Sequence, residues 1–162
     1  AAEMVCHNMY VYNRQGVCVF YHEWFRPQSA KEGVGSVEGD QKQMFGFIWT
    51  MCNLCVALDP KDLNKQQLGT PRKTGIGCRF HSCTTTDFKL HFLDTPTGFK
   101  IVLNTGRDAA DLRDLLQAMY DELLVERVLK SPAYTPGQHF PNPEDFAAAV
   151  SSWLRTKNLI SA

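Results

Sequence analysis

No apolar run in this 162-residue sequence is long enough to cross a bilayer. The longest, Phe45 to Leu58, spans 14 residues and is interrupted by Thr50 and Asn53, against the roughly 20 that a spanning helix needs. Net charge is missing too: 17 basic residues balance 17 acidic ones. The chain therefore lacks the cationic excess through which nucleic-acid binders gain phosphate affinity, and no nucleic-acid partner is expected. Cysteine, at six residues, is too sparse for a disulfide-stapled scaffold, so the thiols are read as reduced. There is no Asn-x-Ser/Thr acceptor, and Ala1 to Tyr10 is too short and mixed in polarity for a secretory leader. Together these absences predict a cytoplasmic protein.

What is present is an average globular composition, 44% apolar, 21% charged and 11% aromatic, enough for one core and one domain over residues 1–162. Val5 to Asn13 and Val17 to Phe25 are aromatic and β-branched runs split by Arg14-Gln15-Gly16, a hairpin whose glycine can take the left-handed position of a bulged turn. Both runs are apolar on both parities, which predicts a sheet covered on two faces. Residues 27–39 are polar and glycine-rich and read as a flexible loop, as does 61–77. Between them, Asp40 to Leu58 has helical period, with Asp40 as the expected cap and Asp59-Pro60 as the stop.

Cys78 to Thr84, Phe88 to Asp94 and Phe99 to Thr105 read as three more strands, the last two joined by Thr95-Pro96-Thr97-Gly98. Counting outward from that turn places Phe92 opposite Ile101 and Leu90 opposite Leu103, with Lys89, His91, Lys100 and Asn104 on the other face. Thr105-x-x-Asp108 has the form of a capping box opening a helix through Lys130, with a stripe of Leu112, Leu115, Leu116, Met119 and Leu123. Asn142-Pro143-Glu144 opens a last helix carrying Phe146, Val150 and Leu154. The order is β-β-α-β-β-β-α-α: an α/β chain with a five-stranded antiparallel sheet, one helix on one face and two on the other.

Catalytic and metal motifs are weak. Cys52-x2-Cys55 and Cys78-x4-Cys83 could supply four thiolates for zinc. The first pair falls in mid-helix without a knuckle glycine, so small buried cysteines are the better reading. His7, His22, His81 and His91 fall in expected strands and His139 in a loop, with no nucleophile, base and orienter in sequence register. Gly33-Val34-Gly35-x3-Gly39 has no preceding strand and no Gly-Lys-Ser/Thr after it, unlike a phosphate loop. No catalytic, cofactor-binding or metal-binding residue is assigned. On the first helix, Met44, Ile48, Met51, Cys55 and Leu58 form one apolar stripe, and Phe45, Trp49, Cys52 and Val56 a second about 100° around the axis. The second stripe is the candidate partner interface. One basic stretch, residues 60–80, holds five cationic side chains against one acid; it reads first as a solvated loop, with contact to an anionic membrane surface or to a partner protein as the alternatives.

His7-Asn8-x-Tyr10, Arg14-x-Gly16-Val17-Cys18, Tyr21-x-Glu23-Trp24, Met44-Phe45-Gly46, Phe88-Lys89-Leu90-His91-Phe92, Asp94-Thr95-Pro96-Thr97-Gly98-Phe99-Lys100 and Lys130-x-Pro132 carry a resemblance. With the element order, they make the chain similar to the longin-fold, sedlin-type small subunits of the TRAPP vesicle-tethering complex. The likeness runs from about residue 5 to 155, with longer segments at 27–39 and 61–77. It implies a non-enzymatic core subunit in endoplasmic reticulum-to-Golgi transport, needing no cofactor. The implied partners are a second longin-type subunit, Bet-three-type subunits and, through the assembled complex, a GTPase of the Rab-one/Ypt type whose nucleotide exchange is promoted. It further implies peripheral association with cis-Golgi and transport membranes. A longin-type adaptor or SNARE-like regulatory domain without exchange activity is the alternative.

Overall fold

Two hairpins and the helices between and after them build the molecule, described by a computed structural model over residues 6–26, 37–61 and 78–160. In the first hairpin β1 (Cys6–Tyr12) pairs with β2 (Cys18–Glu23). Its turn closes through Asn13, whose side-chain Oδ1 accepts the N–H groups of Gln15 and Val17 at 3.0 Å each. Gly16 takes φ +80° there. A Cβ at this glycine would lie 2.5 Å from the Phe45 ring, so the turn needs glycine for conformation and for space alike. Val19 is the extra residue of a bulge, since Val11 pairs with Phe20 but Tyr12 with Cys18.

β3 (Ser82–Thr84), β4 (Phe88–Asp94) and β5 (Lys100–Gly106) complete a five-stranded antiparallel sheet of order β2-β1-β5-β4-β3. The expected turn between β4 and β5 forms, but the expected register is one residue out. Thr95 and Phe99 are themselves the closing pair, with Thr95 N–H donating to Phe99 O at 2.9 Å and Gly98 N–H donating to Thr95 O at 3.0 Å. Phe92 therefore pairs with Val102 rather than Ile101, and Leu90 with Asn104 rather than Leu103. Because side chains alternate, the shift exchanges faces. Lys89 and His91 share a face with Ile101 and Leu103, while Lys100 and Asn104 share the other with Leu90 and Phe92. β3 is also shorter than the expected Cys78 to Thr84. Phe80 instead turns inward, its ring 5.8 Å from that of Phe92, and Asp59 Oδ2 accepts Cys78 N–H at 3.0 Å.

Helix α1 (Val37–Ala57) covers one face of the sheet. It begins three residues before Asp40, so residues 37–39, expected in a loop, are helical. Asp40 is not the cap; its carboxylate meets Arg26 Nη2 at 3.3 Å. Ile48 is fully buried, packed with Tyr10, Tyr12, Leu90, Phe92 and Val102. Tyr12 Oη donates to Gln41 O at 2.8 Å, tying helix to strand. The helix stops as expected, with Asp59 Oδ1 accepting Lys61 N–H at 2.9 Å. Residues 27–36 and 62–77, with Gly33, Gly35 and most of the basic stretch, lie outside the described residues.

The other face carries the larger core, where Met9, Val11, Ile101 and Leu103 meet α2 (Arg113–Met119) and α3 (Pro143–Thr156). The expected capping box at Thr105 does not form, because Thr105 belongs to β5, fully buried, with its Oγ1 3.0 Å from His91 Nε2. α2 opens at Arg113, whose N–H donates to Asp111 Oδ1 at 3.0 Å. From Tyr120 to Leu129 the helix widens into a π-helical stretch, closed by Lys130 N–H donating to Val125 O at 3.0 Å. Leu112, Leu116, Met119 and Leu123 are buried as the stripe predicted, with Leu115 only partly so. In α3, Pro143 occupies the first turn and Phe146, Val150 and Leu154 face the core. Trp153 lies alongside, its Nε1–H donating to Glu122 Oε2 at 2.7 Å.

Candidate interaction surface

Helix α1 has more apolar side chains than its seat on the sheet consumes. Taking Ile48 as the centre of the buried face and 100° per residue, Phe45, Cys52, Cys55, Met44 and Met51 lie within about 60° of it. All five are partly buried against that side of the sheet. Val56 is 6% exposed. Apart from the exposed Leu58 of the first stripe and Trp49 of the second, the two stripes expected from the sequence are thus halves of one sheet-facing surface. Of the candidate interface residues, Phe45 packs 5.4 Å from the Tyr12 ring, Cys52 is half-buried and Val56 is buried. Trp49, half exposed, projects from the helix flank.

The opposite flank carries a row of which sequence reasoning named only Leu58, and that one on the first stripe. Phe47, Leu54 and Leu58 are all exposed, Leu58 at 68%, and their spacings of seven and four put them on one line along the helix. The signal was present in the sequence. Three apolar rows on one helix do not reveal which two a sheet will cover. Phe47 stands edge-on to Phe80, 6.4 Å between ring centres, so this flank continues toward the chain that enters β3. Polar residues on the outer face turn back on the helix: Thr50 Oγ1 donates to Gly46 O at 2.8 Å and Asn53 Nδ2 to Trp49 O at 2.7 Å. One donor of each is thus spent within the helix, and the apolar groups dominate what this surface offers to a contact.

Two strand edges flank this face. β3 and β2 end the sheet, and an end strand keeps backbone donors and acceptors on its outer side. Trp24 N–H donates to His7 O at 2.8 Å, so by alternation His22 and Phe20 also turn inward and Tyr21 and Glu23 turn their backbone groups outward. Glu23 anchors this edge: Tyr21 Oη donates to it at 2.6 Å and Arg26 Nε meets it at 2.9 Å.

Burial shifts several cysteines and histidines. None of the six cysteines, all within the described residues, takes part in a disulfide. Burial pushes the Cys6 thiol up to about 12 and the Cys18 thiol up to about 11, and it raises that of Cys55. Such thiols stay protonated at neutral pH, the wrong form for a nucleophile or a metal ligand. Burial lowers His7, His22 and His81, and lowers His91 to about 4. Among the described residues, no group of three His, Cys, Asp or Glu side chains is arranged to hold a metal ion, and no helix is long and apolar enough to cross a membrane.

Residues 6–157 match the model of the Sybindin-like family. The chain is 34% identical to trafficking protein particle complex subunit 1 of Rattus norvegicus over 159 residues, 98% of each chain. It is 33% identical to the Homo sapiens protein of the same name over the same length and share. Against transport protein particle subunit bet5 of Schizosaccharomyces pombe it is 30% identical over 170 residues, 94% of this chain and 97% of that one. With the family model matched over residues 6–157 and relatives aligned along 98% of both chains, the chain belongs to the Sybindin-like family.

Proposed function

We propose that this chain is a core subunit of a trafficking protein particle complex, working by binding rather than by catalysis. The observation that carries the reading is the correspondence along 98% of both chains with relatives named as subunit 1 of that complex. The exposed row Phe47, Leu54 and Leu58, with Trp49 on the other flank, supports it, since apolar side chains left on one helix are what a permanent partner covers. In this reading Trp49 and the row meet a neighbouring subunit, a second longin-type chain or one of Bet-three type. Phe45, Cys52 and Val56 set the helix's seat beneath them.

The assembled complex tethers vesicles between endoplasmic reticulum and Golgi, sits peripherally on those membranes, and holds a Rab-one/Ypt-type GTPase while its nucleotide leaves. Such exchange needs no acid, base or nucleophile. It needs binding energy that favours the nucleotide-free GTPase over the loaded one. The test is co-expression with the other subunits of the complex, followed by co-purification and by nucleotide release from the GTPase. The wild-type chain is expected to co-purify and to speed release. Changing Phe47, Leu54 and Leu58 together to Ser is expected to abolish co-purification while circular dichroism stays native. Unchanged assembly by that folded variant would remove the interface from the proposal, and failure of the wild-type chain to join any such complex would remove the function.

A further inference from the structure

The two tight turns meet at one end of the sheet, and beside them the surface opens into a notch of about 350 Å³. Phe99, Leu129 and Tyr134 supply apolar lining, and Arg14 is the single charged side chain among the described residues that line it. The Arg14 stem lies across Gly98, where a Cβ would fall 2.2 Å from Arg14 Cγ. Its Nε donates to Thr97 O at 3.1 Å. That bond tethers an otherwise exposed side chain and uses one nitrogen; the two terminal nitrogens have no hydrogen-bond or ion-pair partner among the described residues. Among the described residues, no acid lines the notch to neutralise them. Of the two carbonyl-bearing side chains in the lining, Asn13 and Gln15, Asn13 spends its Oδ1 on the turn.

A guanidinium tethered at Nε, with its two terminal nitrogens free beside an apolar hollow, suits a planar anion attached to an apolar group. A phosphate is less suited, because no second cation among the described residues lines the site. The volume is at the small end for ligand pockets, room for a side chain or two. We propose that the notch is a docking site for an acidic segment of a partner polypeptide: a carboxylate takes the free fork of Arg14, and a neighbouring apolar side chain enters between Phe99, Leu129 and Tyr134. This rests on the reading of the chain as one subunit of a multi-chain complex, since the occupant belongs to another chain.

The experiment has two arms. In the first, the isotope-labelled full chain is titrated with the peptide acetyl-Gly-Asp-Leu-Gly-amide and with its Asn counterpart, reading the amide signals of Gly98, Phe99 and Gly137. Saturable shifts are expected with the Asp peptide, and binding roughly tenfold weaker or more is expected for the Asn peptide and for the Arg14→Gln variant. Gln15→Trp, which keeps Arg14 and fills the mouth, should abolish the shifts. Equal binding of the two peptides, no shifts with either, or saturation by inorganic phosphate in place of the peptide would each overturn the proposal. In the second arm, Gln15→Trp is co-expressed with the other subunits and should lose one of them. If the variant assembles as wild type does, the docking site is overturned and the subunit reading stands. If the wild-type chain joins no complex, the subunit reading fails and takes the polypeptide occupant with it.

Discussion

His91 should make this protein acid-sensitive, and replacing it with Leu should remove that sensitivity. The ring is 1% exposed, with Nε2 3.0 Å from Thr105 Oγ1 and Nδ1 facing no partner among the described residues. Burial, assisted by the Lys89 charge, brings its pKa from 6.5 to about 4. The folded protein thus holds the ring neutral while the unfolded chain takes up a proton as pH falls below 6.5. Stability from this group is intact above that value and declines as pH drops toward about 4. At about 1.4 kcal/mol per pKa unit, the loss at pH 5 is about 2 kcal/mol. In His91→Leu the side chain keeps a comparable volume, and Thr105 Oγ1 retains contacts to Gly106 O at 3.2 Å and Lys89 O at 3.4 Å. Urea denaturation at pH 7.5 should place variant and wild type within about 1.5 kcal/mol of each other. Between pH 7.5 and pH 5 the variant should gain about 2 kcal/mol on wild type. His7, His22 and His81 are also lowered by burial, but they titrate alike in both proteins and cancel. Parallel stability profiles for the two proteins would refute the reasoning.

Gly98→Ala should cost about 1–3 kcal/mol in the same denaturation assay, because φ is +89° and the new methyl displaces the Arg14 stem. A loss below about 0.5 kcal/mol would mean that the turn relaxes without strain. Leu154→Ala removes a side chain with no exposed surface from the α3 side of the core and should cost about 2–5 kcal/mol. A change of under 1 kcal/mol would show that α3 contributes little to the fold's stability.

The features legible in the sequence were local ones. β4 came out with the expected bounds, and the hairpin turns fell where Gly16 and Gly98 can take positive φ. The helical stripe from Leu112 to Leu123 and the start of α3 at Pro143 were readable for the same reason. Each depends on residues a few positions apart, and the alternation of apolar groups on both parities of β1 and β2 already required a sheet covered twice. The family was legible as well, through turn and strand motifs that matched along the chain.

What went unread depended on contacts between distant segments. The β4–β5 register turned on whether Thr95 joined the turn or the ladder, and one residue moved His91 into the larger core. Thr105 had the sequence of a cap, yet its hydroxyl was claimed by His91 from the neighbouring strand. Helix α1 had three apolar rows, and its roll on the sheet, set by Ile48 and by Phe45 over the Gly16 turn, left Phe47, Leu54 and Leu58 outside. The Arg14 notch exists because two turns far apart in the chain meet. By itself the sequence determined the elements, their order and the family, because backbone preferences and apolar periodicity act within a few residues. The tertiary structure decided which faces are spent and which remain open, because burial is settled between segments.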